Sequence, residues 1–258
     1  MKIVQTKAKI ISNQKFSENY RYLEFESDLI AKHAIAGQFV NIRVTDSAGP
    51  LLRRPFSIHG VQAKKIKVIY EVVGQSTQIL SARKPGEFLD IIGPLGNGFD
   101  YRRLAESREA KNILIGGGIG VAPLVFLAEK LKLSKPLVLI GARSKKQILC
   151  LSKFKDLGCT VKLATDDGSA GFKGRVTDLL KIILEQTKPL GLFSCGPHPM
   201  LKAVAKTAGD YKINAQLSLE EHMACGIGAC LGCVVSTKAG YKTVCKDGPI
   251  FSSEELLW

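Results

Sequence analysis

The stretch NILIGGGIGVAPLVFLAEKLKLSKPLVLIGARS, residues 112–144, decides the fold of this chain. Its apolar run at 112–117 predicts a buried strand, and its helical spacing from 121 to 133 predicts a helix. A second apolar run at 136–141 predicts another strand. Because strands that alternate with helices form parallel sheets, the stretch predicts a doubly wound parallel sheet.

The same alternation continues downstream. TVKLATD (160–166) and GLFSCG (191–196) read as strands, and residues 175–186 and 198–207 read as helices. We therefore assign residues 103–214 to one α/β domain.

Upstream, residues 1–102 have a different pattern. Short, alternating, β-branched segments are separated by glycine and proline, as in GQFVNIRVT (37–45), IKVIYEVV (66–73) and FLDIIGPLG (88–96). Such segments are typical of a small antiparallel β-barrel. The remaining residues, 215–258, are predicted to form a small cysteine-rich module.

Four of the seven cysteines lie in that module. They are Cys225, Cys230, Cys233 and Cys245, and the first three have the spacing C-x4-C-x2-C. This spacing is typical of thiolates around a 2Fe-2S cluster. Residues 234–245 read as a hairpin, which would bring Cys245 back to Cys233. Glycines between the ligands would let amide N–H groups point at sulfur.

Other chemistry at these cysteines stays open from the residues alone. A structural zinc site usually uses paired C-x2-C elements, and an x4 gap beside a single x2 gap is unusual for it. Thiols without metal are a further alternative, and His222 could replace one cysteine as a ligand. Disulfides would need an oxidising compartment, for which the sequence gives no sign.

Composition limits the function classes. The 258 residues include 37 Lys and Arg against 23 Asp and Glu, a formal net charge of +14. The basic residues are scattered and not interleaved with aromatic residues, so we expect bound phosphates or an acidic partner, and no nucleic acid. There is no apolar run of membrane-spanning length and no secretory leader, which predicts a cytoplasmic protein with no membrane span.

A dinucleotide site is predicted where the strands of the parallel sheet end. GGGIG (116–120) joins a strand to a helix, so its backbone could approach a pyrophosphate. A tight turn that binds nothing is the alternative, because Pro123 and the missing acidic residue after the next strand depart from G-x-G-x-x-G. Three more segments end at the same edge: GARS, TDDG and CGP. The residues predicted to bind are Gly116, Gly117, Gly118, Gly120, Arg143, Asp166 and Gly196.

Cys195 of the CGP segment has two interpretations. It is either a neighbour of a bound nicotinamide or a small buried residue.

These motifs together resemble the ferredoxin reductase superfamily. RPFS (54–57), GGGIGVAP, CGP and an added cysteine module carry the resemblance. LLRRPFSI (51–58), SLEEHMACGIGACLGCVV (218–235) and VCKDGPIF (244–251) are more closely similar to the electron-transfer subunits of class B dihydroorotate dehydrogenases. The resemblance extends over essentially the whole chain.

The resemblance implies FAD in the β-domain. Arg54 would pair with the pyrophosphate, Ser57 would lie near the reactive flavin nitrogen, and Glu71 replaces an arginine common in relatives. Because an acid repels phosphate, we expect the Glu71 side chain to face away from the site. The FAD-binding residues implied are Arg54, Pro55, Phe56, Ser57, Ile69, Tyr70, Glu71, Ser76 and Thr77. RPFS alone could equally be an edge-strand proline with a solvated arginine.

The resemblance also implies a function. Electrons would run from the FMN-containing catalytic subunit that oxidises dihydroorotate, through 2Fe-2S and FAD, to NAD⁺ in pyrimidine biosynthesis. Ser57 and Cys195 would flank the hydride transfer, and the assembly would be a heterotetramer with two of each subunit. Alternatives are a reductase serving ferredoxin, hydrogenase or a glutamate synthase-like enzyme, and a redox-sensing protein without turnover. The residues themselves leave NAD against NADP open.

Overall fold

The first sheet lies in the N-terminal part of the chain. The computed structural model of the protein describes residues 3–47, 49–105 and 111–258. The strands of this sheet are β1 (Val4–Lys15), β2 (Tyr20–Glu26), β3 (Phe39–Arg43), β4 (Arg54–Ser57), β5 (Gly60–Gln62), β6 (Lys65–Glu71) and β7 (Phe88–Leu95). They are antiparallel, in the order β4-β3-β7-β1-β2-β6-β5.

Alternation of side chains gives this sheet one buried face. Along β1, Ala8 and Ile10 are buried while Lys7 and Lys9 face water, as the two-residue period of a strand requires. The sheet curls until β4 contacts β6, which gives a half-barrel and confirms the antiparallel β-domain predicted from the sequence.

Two helices belong to this part of the chain, α1 (Asp28–His33) and α2 (Gln75–Ala82). The N-terminus of α2 is held by Thr77, whose Oγ1 accepts hydrogen bonds from the N–H groups of Val73 (3.0 Å) and Gly74 (3.2 Å). The first turn of α2 therefore contains Ser76 and Thr77, two of the residues implied to bind FAD.

The second sheet is built from the C-terminal part of the chain. Its strands are β8 (Asn112–Gly117), β9 (Leu137–Ala142), β10 (Thr160–Thr165), β11 (Phe172–Lys173), β12 (Gly191–Cys195), β13 (Ala215–Ser218) and, near the end of the chain, β16 (Ile250–Ser252). The order is β11-β10-β9-β8-β12-β13-β16, and every pair is parallel except β13 with β16. The predicted parallel sheet is confirmed.

Helices cover both faces of this sheet. They are α3 (Arg102–Ala105, before the sheet), α4 (Val121–Lys130), α5 (Leu151–Asp156), α6 (Val176–Leu184) and α7 (His198–Asp210). Successive residues of β8 point to opposite faces: Leu114 packs with α4, and Ile113 and Ile115 pack with α6 and α7. The chain runs outward from β8 through β9, β10 and β11, then returns to β12 on the other side of β8. The carboxyl ends of β8 and β12 thus form the switch point at which open α/β sheets bind ligands.

One hydrophobic core joins the two sheets. The buried face of the half-barrel, including Phe25 and Ile66, is continuous with the buried faces of α4 and α5, including Phe126 and Phe154. Strand β5 of the first sheet contacts α4 directly. The sites that the two sheets carry therefore have fixed relative positions.

The cysteine-rich segment is anchored on the second sheet. Its hairpin, β14 (Val234–Thr237) with β15 (Gly240–Thr243), is present as predicted. Strands β13 and β16, which flank that segment, extend the parallel sheet at one edge. The division into units 1–102, 103–214 and 215–258 stays a prediction. No helix in the described ranges is long and apolar enough to cross a membrane.

Candidate functional site

A cavity of about 770 Å³ opens at the switch point. It reaches from the carboxyl ends of β8, β9, β10 and β12 to two residues of the first sheet, Tyr20 and Glu71. Seven residues predicted to bind a cofactor line it: Glu71, Gly117, Gly118, Gly120, Arg143, Asp166 and Gly196. The four segments GGGIG, GARS, TDDG and CGP thus meet at one edge, as the rule for parallel sheets predicts.

The glycines form the floor of this cavity. A Cβ on Gly120 would collide with the backbone of Cys195, and a Cβ on Gly196 would lie 2.6 Å from Met200 Cε and 3.0 Å from Gly117 N. The β8 and β12 loops therefore touch through backbone atoms. Gly118 differs, because its φ is +56° and a Cβ there would meet nothing within 4 Å. Its backbone faces open space beside the N-terminus of α4, where a pyrophosphate fits.

Gly116 is not among the residues that line the cavity. A Cβ there would lie 2.5 Å from Val121 Cγ1, so this glycine lets α4 pack closely against β8.

Charged side chains of both signs line the same cavity. The cationic residues are Arg143, after β9, and Arg175, before α6; the acidic residues are Glu71, Asp166 and Glu220. Glu220 is exposed by its total surface area, whereas burial of its carboxyl group raises its pKa. The Glu220 carboxyl group is therefore shielded from solvent although other parts of the residue are exposed.

The expectation that Glu71 faces away from the FAD phosphates stays a prediction, and the structure places Glu71 at the nucleotide cavity. Glu71 lines the cavity, and it is paired in register with Tyr20 across β2 and β6. Burial, the Glu71 charge and the hydrogen bond to Glu71 raise the pKa of Tyr20, and the Arg143 charge opposes them. The acid is accommodated because Tyr20 donates to it and Arg143 lies close by.

Cys195 does not reach the cavity with its thiol. Its side chain is 1% exposed, and burial, together with the nearby charge of Glu220, raises the pKa of the thiol. A hydrogen bond with Ser218 opposes that shift. The buried interpretation is the one this geometry favours, with the Cys195 backbone supporting the glycine loop.

The residues predicted to bind FAD lie on β4, on β6 and at the start of α2. Arg54 and Ser57 are half-buried on β4, and the Arg54 guanidinium donates hydrogen bonds to the carbonyls of Leu52 (2.9 Å) and Arg53 (3.2 Å). Pro55 is half-buried beside them. A fixed guanidinium and a helix N-terminus in one domain are the donors that a diphosphate requires, so these residues fit the group.

Two aromatic side chains of that set point inward. Phe56 and Tyr70 pack against each other with ring centroids 5.5 Å apart, and the Tyr70 hydroxyl donates to Asn13 Oδ1 at 3.0 Å. Ile69 is buried as well, and Ser76 and Thr77 are buried in the first turn of α2. Any contact of Ile69 and Tyr70 with a flavin would therefore come from their backbone.

The four cysteines of the C-terminal segment converge in two pairs. The thiol of Cys225 contacts that of Cys230, and the thiol of Cys233 contacts that of Cys245. In the described part of the chain, no three His, Cys, Asp or Glu side chains converge on a point that suits a single metal ion. Two pairs fit a two-iron cluster, in which each iron takes two thiolates, better than one zinc ion.

Backbone amides point at these sulfurs. The N–H groups of Ile227 and Ala229 donate to Cys225 Sγ at 3.4 and 3.3 Å, and that of Gly228 donates to Cys245 Sγ at 3.1 Å. Burial raises the pKa of the Cys225 thiol, but hydrogen bonds from the N–H groups of Ile227, Cys230 and Ala229 and to the Cys230 side chain outweigh it and lower the pKa to about 6. The predicted N–H donation is present, and at Cys225 it stabilises the thiolate form that binds iron. At Cys245, burial and the neighbouring Cys233 thiol outweigh the Gly228 N–H and raise the pKa to about 12.

The two pairs differ in exposure. Cys230 is exposed and Cys225 is half-buried, whereas Cys233 and Cys245 are buried. The loop also contacts the first sheet, where Asn41 Nδ2 donates to the carbonyl of Cys225 at 3.5 Å. One side of the cysteine site thus faces the interior and the other faces solvent.

Sequence reasoning missed several cavity residues, among them Tyr20, Arg175 and Glu220. Glu220 follows β13, which is parallel to β12, so the rule of carboxyl strand ends could have indicated it. For Tyr20 no signal was present, because its place depends on how the two sheets pack.

Known proteins agree with this arrangement. Residues 220–257 match the family model described as the iron-sulfur cluster binding domain of dihydroorotate dehydrogenase B. The electron transfer subunit of dihydroorotate dehydrogenase B (NAD⁺) from Desulforamulus reducens is 40% identical over 97% of both chains. The same subunit from Bacillus pumilus is 40% identical over 96% of both chains.

Solved structures share the fold. An NADH-dependent reduced ferredoxin-NADP oxidoreductase superposes with a TM-score of 0.85 at 31% identity, covering 97% of this chain and 90% of that one. A ferredoxin NADP⁺ reductase from Neisseria gonorrhoeae superposes with a TM-score of 0.68 at 15% identity, over 80% and 91%. The resemblance drawn from the sequence is confirmed: this chain belongs to the family of electron transfer subunits of dihydroorotate dehydrogenase B.

Proposed function

We propose that this chain carries electrons from a dihydroorotate-oxidising catalytic subunit to NAD⁺, with FAD and a 2Fe-2S cluster as its own cofactors. The observation that carries the proposal is the cavity itself. It joins the glycine loops of the second sheet to the first sheet, and the cysteine loop contacts that first sheet through Asn41. FAD supplies the chemistry needed here, since it exchanges electrons in pairs with nicotinamide and singly with an iron–sulfur cluster.

The chain's own residues hold and orient these groups. The open backbone at Gly118 and the N-terminus of α4 bind the NAD pyrophosphate, and Arg54 with the start of α2 binds that of FAD. Ser57 lies at the end of β4, where it is placed to contact the flavin ring. The Cys195 backbone contacts the glycine loop and keeps it in position. The cysteine pairs bind iron, and the amides around Cys225 favour its thiolate.

The partner is inferred from the family name. An electron transfer subunit implies a catalytic subunit, and we propose the FMN-containing dihydroorotate dehydrogenase in an assembly of two copies of each chain. A cytoplasmic location fits the chemistry, because none of the seven cysteines, all of which the structure describes, forms a disulfide.

The deciding experiment is NAD⁺ reduction driven by dihydroorotate. The cofactor-loaded chain, prepared without oxygen, is mixed with the dihydroorotate-oxidising flavoprotein of the same organism, and NADH absorbance is followed. We expect NADH only when both proteins are present. A loaded chain that produces no NADH with this partner would refute the assignment of the partner.

A second experiment tests whether the Cys195 side chain takes part in hydride transfer or only packs in the protein interior. In the Cys195→Ala variant, we expect flavin reduction by NADH to keep the rate of the unmodified chain, because the thiol is buried and alanine keeps the backbone that contacts the glycine loop. A slower reduction in a variant that keeps its fold would give the thiol a part in hydride transfer.

A different partner is the second candidate. The 31% identity and TM-score of 0.85 to an NADH-dependent reduced ferredoxin-NADP oxidoreductase favour a reductase subunit serving ferredoxin. Reduction of ferredoxin by NADH, with no turnover of dihydroorotate, would support it.

A further inference from the structure

The cavity contains an acid in a place where its charge affects ligand choice. Glu71 ends β6 of the first sheet, and Arg143 is the first residue after β9 of the second. Both line the same cavity, with Tyr20 as the register partner of Glu71. The first sheet thus places a carboxylate opposite the end of a strand that binds a nucleotide.

The end of β9 is where a nucleotide ribose is recognised. In a strand–helix–strand unit, the residue after the second strand reads the 2′ position: an acid accepts the 2′-hydroxyl, and an arginine accepts a 2′-phosphate. Arg143 by itself would therefore favour the phosphorylated dinucleotide. Its charge is opposed by Glu71, which reaches the cavity from the other sheet.

The other charges of the cavity lining also limit the attraction of Arg143 for a phosphate. The chain carries a net charge of +14, yet the described lining residues include two arginines and three carboxylates. The cavity is thus not a cationic pocket in a cationic protein. A 2′-phosphate, with about two negative charges, would meet the carboxylates of Glu71 and Asp166. The lining has no surplus of positive charge to offset that repulsion.

We propose that Glu71 is the specificity residue by which this site rejects nicotinamide dinucleotides that carry a 2′-phosphate. The inference rests on the proposed function, because it places NAD in this cavity. Tyr20 donates a hydrogen bond to the carboxylate, so that the repulsion acts at a fixed point.

The test is the binding of NAD⁺ and NADP⁺ to the cofactor-loaded chain, measured by isothermal titration calorimetry. In Glu71→Gln, which keeps a hydrogen-bond acceptor for Tyr20 and removes the charge, we expect the ratio of the NADP⁺ to the NAD⁺ dissociation constant to fall roughly tenfold. The fall should shrink between low salt and 0.3 M salt, because screening weakens repulsion. Replacing Arg143 by alanine in the Glu71→Gln background should restore part of the discrimination.

The matched control is Glu185→Gln, which makes the same change of charge at an exposed position outside the cavity lining. In this control, the ratio of the NADP⁺ to the NAD⁺ dissociation constant should equal that of the unmodified chain. An unchanged ratio in Glu71→Gln, or an equal fall in Glu185→Gln, overturns the inference while leaving the proposed function intact. If the unmodified chain binds neither dinucleotide, the proposed function fails and the inference fails with it.

Discussion

Lowering the pH should destabilise this protein through one buried histidine, His59. It follows β4, at the boundary between the two sheets, and is 4% exposed. Its Nδ1–H donates to the carbonyl of Ala122 on α4 at 2.7 Å, and the Tyr22 ring lies edge-on at 5.9 Å. Burial lowers the pKa of His59 from 6.5 to about 4; the Ala122 hydrogen bond opposes this, and the charges of Lys153 and Lys67 add to it.

The sign and size of the effect follow from that shift. The unfolded chain binds a proton at His59 below pH 6.5, while the folded chain stays neutral there until about pH 4. The free energy of unfolding therefore falls as the pH is lowered from 6.5 to about 4. A difference of about 2.5 pKa units corresponds to about 3 kcal/mol in total, most of which is lost by pH 4.5.

The assay is urea unfolding of the protein and of His59→Gln at pH 7 and pH 4.5, followed by circular dichroism. Glutamine keeps a donor for Ala122 and does not titrate, so other acid-sensitive groups cancel in the difference. We expect the unmodified protein to lose about 2–3 kcal/mol more than the variant. His33→Gln, at a half-buried position in α1, is the control and should behave like the unmodified protein. Equal losses in the protein and in His59→Gln would refute this reasoning.

Four substitutions test the cofactor sites. Cys230→Ser should abolish the electron paramagnetic resonance signal of the reduced cluster and leave FAD bound; an unaltered signal would contradict the ligand assignment. Gly120→Ala should slow flavin reduction by NADH at least tenfold, because its Cβ would collide with the Cys195 backbone. Gly118→Ala should lower the free energy of unfolding by only about 1–2 kcal/mol, from its left-handed backbone, because its Cβ would meet no protein atom within 4 Å; an equal loss of stability in Gly120→Ala would argue against the collision. Arg54→Ala should release FAD on dilution, measured as flavin fluorescence in the filtrate, and full retention would exclude a pyrophosphate contact.

Local patterns predicted most of the architecture. The β8–α4–β9 unit and the β14–β15 hairpin follow from periods and turns that lie within about 30 residues of sequence. The convergence of the four strand ends also followed, because the geometry of a parallel sheet determines which ends meet. The spacing of the cysteines was sufficient to indicate a cluster, since ligands within one loop need no long-range information.

The failures have a different physical origin. The antiparallel pairing of β13 with β16 joins segments more than 30 residues apart, and nothing local encodes it. The place of Glu71 at the nucleotide cavity could not be predicted, because Tyr20 and Arg143, which line the cavity with it, come from a neighbouring strand and from the other sheet. Cys195 was ambiguous because strand ends carry both buried and ligand-facing side chains.

The shared core between the two sheets limits how this chain can be recombined with its relatives. Phe126 and Phe154 complete the interior of the β-domain from the α/β side. A chimera joined between residues 105 and 111 would therefore place foreign α4 and α5 side chains against Phe25 and Ile66. Successful exchange of the nucleotide domain therefore requires that the core residues facing each other across the two sheets be transplanted as one set. A new cofactor preference is easier to introduce by substitutions in the cavity lining than by exchange of a whole domain.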